Sequence, residues 1–252
     1  AASFALHAEI ASGTASAALS KPVERDVFLL GKFAGVGLLV LRFWGCLLAA
    51  TLLASRAPAS IHGPATQTTG RLAQVMPLLV PPLACLAAGW LHFKRLSRFG
   101  VTAFNVLAAL MLLALAPLLC LDETGRWAPS WQGLDWRIVP VSLMILGALL
   151  IFAAIATALA TRLKPGVTLL VCLALLGLGL AADSLLGAGV PLPTRTLARL
   201  TPNIQNLWLC DALSHGNRVG IRYLAYGAAY TTACCAAALG AGMLSFRNHD
   251  LG

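Results

Sequence analysis

The residues best placed for specific work precede the first long apolar run. They are Glu9, Gly13 and Thr14, then Lys21, Pro22, Val23 and Arg25, then Gly31 and Lys32. Their types suit mechanical coupling rather than covalent chemistry. Gly13-Thr14 can end one helix and cap the next through the threonine hydroxyl. Pro22 can open a further helix at the position where its missing N–H has no intrahelical bond to lose. Glu24 and Asp26 then fall in the first turn, where the helix dipole favours carboxylates. The pattern predicts two short helices joined by tight corners, leading into a span that begins near Gly31-Lys32-Phe33. It suits an ordinary amphipathic connector, and equally a docking element against which a cytosolic partner pushes.

No catalytic grouping forms. Gly31-Lys32 is followed by Phe33 instead of Ser or Thr, and Asp26 stands where a phosphate-cradling loop needs its first glycine. Neither a Ser/His/Asp set nor H-E-x-x-H is present, so no enzyme activity is expected in this chain. Of seven cysteines, Cys46, Cys85, Cys120, Cys172, Cys234 and Cys235 lie in apolar runs and Cys210 in a loop; no C-x-x-C spacing occurs and the five histidines are scattered. No metal site or cofactor is expected. Two ionisable residues fall deep in apolar runs, Arg42 in the first and Asp183 toward the outer end of the fifth. An Arg at a span's centre costs about 2.5–3.5 kcal/mol on insertion. Arg42 therefore marks either a substrate path or gate, or a helix-pairing contact, with Asp183 one candidate partner.

The elements that must position these residues are six apolar stretches near 33–54, 73–93, 101–121, 138–160, 167–187 and 223–246. Each is about 20 residues long, enough for a helix to cross about 30 Å of hydrocarbon. They show no period-2 alternation and are rich in Leu and Ala, so helices are expected, not a barrel. The fold class is all-α: a polytopic membrane protein with about six transmembrane helices, preceded by short interfacial helices over 1–32. Residues 1–10 read as the tail of a preceding helix. The chain is 59% apolar and 11% charged, against about 45–50% and 25% in soluble proteins. Its net charge of +9 comes from basic residues at the ends of apolar runs. No basic stripe interleaves with aromatics, so lipid headgroups are the expected partner and nucleic acid is not.

With the segment before Phe33 inside, the inner loops hold nine basic residues and the outer loops eight, but all four lysines are inner. The inner connections, Lys94–Gly100 and Thr161–Gly166, are tight basic hairpins closed by Gly and Pro. Outside, 55–71 is rich in Pro, Gly and Thr and is expected to be irregular, and Trp127, Trp131 and Trp136 suit an interfacial belt. After Pro202, Ile204, Leu207 and Trp208 share a helical face, which predicts a short amphipathic outer helix near 203–213. Paired small residues (Gly35 and Gly37, Gly177 and Gly179, Gly240 and Gly242) permit close helix approach.

The string E-x-x-x-G-T, then L-S-K-P-V-x-R, then L-L-G-K-F resembles a stretch found in permease subunits of ABC-2-type ATP-binding-cassette transporters. The ending, Pro202-Asn203, an amphipathic segment, a last span and Phe246–Gly252, is similar to that family too. Together they cover roughly a third of the chain. The resemblance implies that Glu9, Gly13, Thr14, Lys21, Pro22, Val23, Arg25, Gly31 and Lys32 belong to coupling helices that contact a nucleotide-binding subunit. It further implies cytosolic ATPase subunits and a second permease chain as partners, in a bacterial cytoplasmic membrane. The family carries two spans before this motif and often four after it. An intact chain is therefore expected to have about eight spans. The alternative expectation is a non-transporting membrane scaffold or anchor, or a channel-like protein.

Overall fold

Arg25–Ser55 forms one unbroken helix of 31 residues, α1, with Asp26 in its first turn. The helix expected to begin near Gly31-Lys32-Phe33 therefore starts earlier, with Arg25–Lys32 as its opening turns; the corners expected at Gly13-Thr14 and Lys21-Pro22 lie outside the described residues. The local reason is that Asp26 sits in the first turn, where the helix dipole favours it, and Leu29, Leu30 and Lys32 are good helix formers. The tertiary reason is Leu29, fully buried in a cluster with Ala160 and Met243.

The computed structural model describes residues 25–55, 68–95, 99–120, 135–181, 201–209 and 219–247. These residues are helix and connecting turns, with no strand among them. After α1 come α2 (Thr68–Arg95), α3 (Phe99–Cys120), α4 (Ile138–Leu159), α5 (Pro165–Leu180), a 3₁₀ turn (Gln205–Leu207) and α6 (Ile221–Arg247). Among the described residues, three helices are long and apolar enough to cross a membrane: Asp26–Ser55 in α1, Ile138–Leu159 in α4 and Ile221–Ser245 in α6. The apolar parts of the others, Leu78–Lys94, Gly100–Ala116 and Pro165–Leu180, are shorter. The α2 helix starts within the segment expected to be irregular, so Arg71 is helical. Its interior holds Pro77, Pro81 and Pro82, each of which removes one intrahelical hydrogen bond.

The chain divides into two units, Leu41–Val139 and the remainder. Within Leu41–Val139, α2 and α3 pack side by side as a hairpin. Ala49, Leu53, Val80, Met111 and Ala114 form its buried centre. Large apolar side chains line its exterior, among them Leu78, Leu86 and Phe93, which are 76%, 72% and 88% exposed. Such a surface belongs against lipid or protein, since water would penalise it.

In the other unit, α4 and α6 run parallel along a common seam. A Cβ on Gly227 would strike Met144, one on Gly147 would lie 2.5 Å from Thr231 Oγ1, and one on Gly242 would lie 2.9 Å from Ala158 Cβ. Further along, Arg162 Nη2 donates to the Ser245 carbonyl at 3.0 Å. The sequence separation hardly changes along this series, so the two axes cross at a shallow angle. On α4 the seam residues Met144, Gly147 and Ala158 are joined by the buried Ile151 and Ala154 into a series spaced three and four apart, the spacing that keeps one helical stripe on a neighbour. Glycine and alanine let the backbones approach, which is how helices gain contact in lipid without a hydrophobic drive.

The α4–α5 corner is the tight basic hairpin expected. Thr161 Oγ1 donates to the Ala158 carbonyl at 2.7 Å, and the Leu163 N–H donates to the Leu159 carbonyl at 2.9 Å, closing the end of α4. Lys164 is extended (φ −62°, ψ 150°) and Pro165 occupies the first turn of α5, as the restriction on a residue before proline requires. Thr168 Oγ1 then donates to the Lys164 carbonyl at 3.2 Å.

Candidate functional site

Of the predicted coupling residues, Glu9, Gly13, Thr14, Lys21, Pro22 and Val23 lie outside the described residues. Arg25 begins α1, and Gly31 and Lys32 follow within its first turns. Among the described residues, a Cβ at Gly31 would meet nothing within 4 Å, so their packing does not demand a glycine there. Lys32 Nζ lies 5.4 Å from the Phe28 ring centroid, a cation–π distance. Leu29 lies between them in sequence and packs on Ala160 and Met243. The start of α1 is thus fastened to the α4–α5 corner and the end of α6. Lys32, Arg162 and Lys164 all belong to this end of the unit.

At the opposite end, residues 201–209 lie across α4, α5 and α6. The amphipathic helix expected over 203–213 is reduced here to the 3₁₀ turn at Gln205–Leu207, while 210–213 lies outside the described residues. A 3₁₀ turn stacks residues three apart, so Ile204 and Leu207 still share a face and are 1% and 2% exposed. Trp208 leaves that face and is half exposed. Side chains hold the turn: the Gln205 N–H donates to Asn203 Oδ1 at 3.0 Å, and the Asn203 N–H donates to Tyr230 Oη at 2.7 Å. Tyr223 Oη donates to the Asn206 carbonyl at 2.6 Å.

All three tyrosines of the chain, Tyr223, Tyr226 and Tyr230, stand on α6 at spacings of three and four. With Asn206, Leu207 and Gly227 they line a cleft of about 380 Å³. The sequence reading overlooked them. Their i, i+3, i+7 spacing was the available signal, but it needed a partner segment to acquire meaning.

A larger apolar groove of about 570 Å³ lies between α1, α4 and α5 in the same unit, lined by Val36, Val40, Phe152, Leu176 and Trp208 among others. Thr168 is the only hydroxyl residue of its lining, and that hydroxyl is occupied by the Lys164 carbonyl.

Arg42 Nη1 donates to Asn105 Oδ1 of α3 at 3.0 Å, a partner not foreseen. Asp183, the partner considered, lies outside the described residues. Near the start of α4, Asp135 and Arg137 form an ion pair at 2.8 Å. Hydrogen bonding from the Arg137 guanidinium holds the Asp135 carboxyl below the usual carboxylate range. Among the described residues, no three of His, Cys, Asp and Glu converge on a point that would hold a metal ion. The chain matches no protein-family profile, no curated protein and no solved structure.

Proposed function

We propose that this chain is the membrane-spanning permease subunit of an ABC-2-like exporter of the bacterial cytoplasmic membrane. All six helices cross the bilayer, and ATP is hydrolysed by separate cytosolic subunits. A second permease chain, alike or related, completes the transporter. The observation that carries this reading is the continuity of α1. The coupling-motif residues Arg25, Gly31 and Lys32 lie in the same unbroken helix as the span beyond them, so a push on that end turns the whole helix as a rigid body. The clustering of Lys32, Arg162 and Lys164 at the same end supports its facing the cytosol.

Co-purification provides the test. The intact chain, extracted in mild detergent, is expected to retain a cytosolic ATPase in at least one of the nucleotide-free, ATP-bound and ADP-bound conditions. Substrate flux in reconstituted vesicles is expected to require ATP hydrolysis. Failure to associate under all three conditions overturns the reading, and ATP-independent flux would favour a channel.

A further inference from the structure

The groove between α1, α4 and α5 has a direction. Leu29 of α1 clusters with Ala160 at the end of α4, so Lys32 lies near the level of the α4–α5 corner that carries Lys164. From there the lining continues along α5 from Pro165 to Leu176 and closes on Ile204 and Trp208. Eleven residues of helix rise about 17 Å, roughly half of a 30 Å hydrocarbon core. Its volume of about 570 Å³ falls in the range of small-molecule sites, about 300–1,000 Å³. The lining has no acid or base, whereas its corner end is basic. Lys164 directly precedes Pro165, and Lys32 lies four residues, one helical turn, before Val36 on the same face of α1.

We infer that this groove binds one acyl chain of an anionic phospholipid, with the lipid phosphate held at the corner end by Lys164 and Lys32. An acyl chain matches the groove in length and polarity, and its own leaflet delivers it sideways. Two lysines select an anionic headgroup over a zwitterionic one. The inference needs only that the chain spans a bilayer, and stands whether or not an ATPase couples to it.

The full chain is placed in nanodiscs of equal phosphatidylglycerol and phosphatidylcholine. One lipid at a time carries a diazirine at the end of an acyl chain, and adducts are mapped by peptide mass spectrometry. Adducts are expected on 145–152 and 172–176 at several times the density found on the exposed face of α2 over 78–93. Phosphatidylglycerol adducts should exceed phosphatidylcholine adducts by about fivefold for each lysine engaged. Lys164→Gln and Lys32→Gln should each reduce that preference while leaving adduct positions unchanged. Leu173→Trp, which fills the groove mouth, should remove groove adducts and spare those on α2. Equal adduct density in the groove and on α2, or no headgroup preference in the unaltered chain, overturns the inference. So does a photoreactive benzophenone at position 173 that captures a second copy of the chain instead of lipid.

Discussion

The Ile204 N–H donates to the Gly179 carbonyl at 3.2 Å, pinning the segment 201–209 to the last turn of α5. The two backbones meet there because Gly179 has no side chain. A Cβ at that position would lie 2.7 Å from the Pro202 carbonyl oxygen and 2.8 Å from Ile204 Cγ1, while one on Gly177 would meet nothing within 4 Å. Gly179→Ala should destabilise the folded chain by about 1–3 kcal/mol, the usual range for overpacking. Gly177→Ala, on the same helix, should be neutral or stabilise by up to about 1 kcal/mol through helix propensity. Thermal unfolding in detergent, followed by tryptophan fluorescence, separates the two. Equal effects would show that the contact carries no energy.

Tyr230 makes the second attachment. Its hydroxyl accepts the Asn203 N–H at 2.7 Å. Tyr230→Phe keeps the ring and removes the acceptor, leaving a half-buried amide without that partner, at about 1–3 kcal/mol. Tyr223→Phe should cost less, because its partner, the Asn206 carbonyl, is exposed and water can replace the hydroxyl. Limited proteolysis should then show faster cleavage within 201–209 for Tyr230→Phe than for Tyr223→Phe. The reverse order would contradict the assignment.

These two contacts explain where the sequence was legible. Each of the six described helices overlaps one of the apolar stretches, with most ends within a few residues, because long runs of Leu and Ala favour helix. The early start of α1 was hidden, since Arg25–Lys32 is too polar to register as membrane-spanning and is fastened by Leu29 against residues far along the chain. The segment after Pro202 misled for a related reason. Ile204 and Leu207 three apart fit an α-helix and a 3₁₀ turn equally, and Tyr230 and Gly179 decide between them. The paired glycines were half legible. In each pair, the second residue meets a neighbour (Gly37 at 3.8 Å from Leu150, Gly179 and Gly242 closer), whereas Gly35, Gly177 and Gly240 meet nothing within 4 Å. Residues two apart on a helix face different directions, so only one can sit at a given contact.

Arg42 and Asn105 are 63 residues apart, which is why no local pattern joined them. A neutral acceptor leaves the arginine charged, so the pair fastens α1 to α3 without cancelling the charge. A double-mutant cycle with Arg42→Leu and Asn105→Leu should give a coupling of about 0.6–1.7 kcal/mol, as for polar pairs between membrane helices. Arg42→Gln retains a donor while removing the charge. Unchanged transport with normal folding in Arg42→Gln would assign Arg42 to helix pairing and discard a role in gating.

The Asp135–Arg137 pair gives α4 a local dependence on pH. The Ile138 N–H donates to the Asp135 carbonyl at 3.1 Å, and the Arg137 N–H donates to Asp135 Oδ1 at 3.2 Å, so the carboxylate organises the turn that starts the helix. Hydrogen bonding and charge attraction from Arg137 lower the Asp135 pKa from its ordinary value of 3.8. A carboxyl group whose folded pKa is depressed contributes stability that is full above its unfolded value and lost as pH falls through its folded value. Both side chains are well exposed, so solvent screens the pair and the effect stays within this turn. Hydrogen–deuterium exchange, corrected for intrinsic rates, should show protection of residues 137–139 constant well above the ordinary carboxylate value of 3.8 and falling below it. Asp135→Asn should abolish that dependence and hold protection at all pH values near the level the unaltered chain shows in acid, because an amide, like a protonated carboxyl, carries no charge to hold the guanidinium. A falling protection that persists in Asp135→Asn would assign the transition to another group.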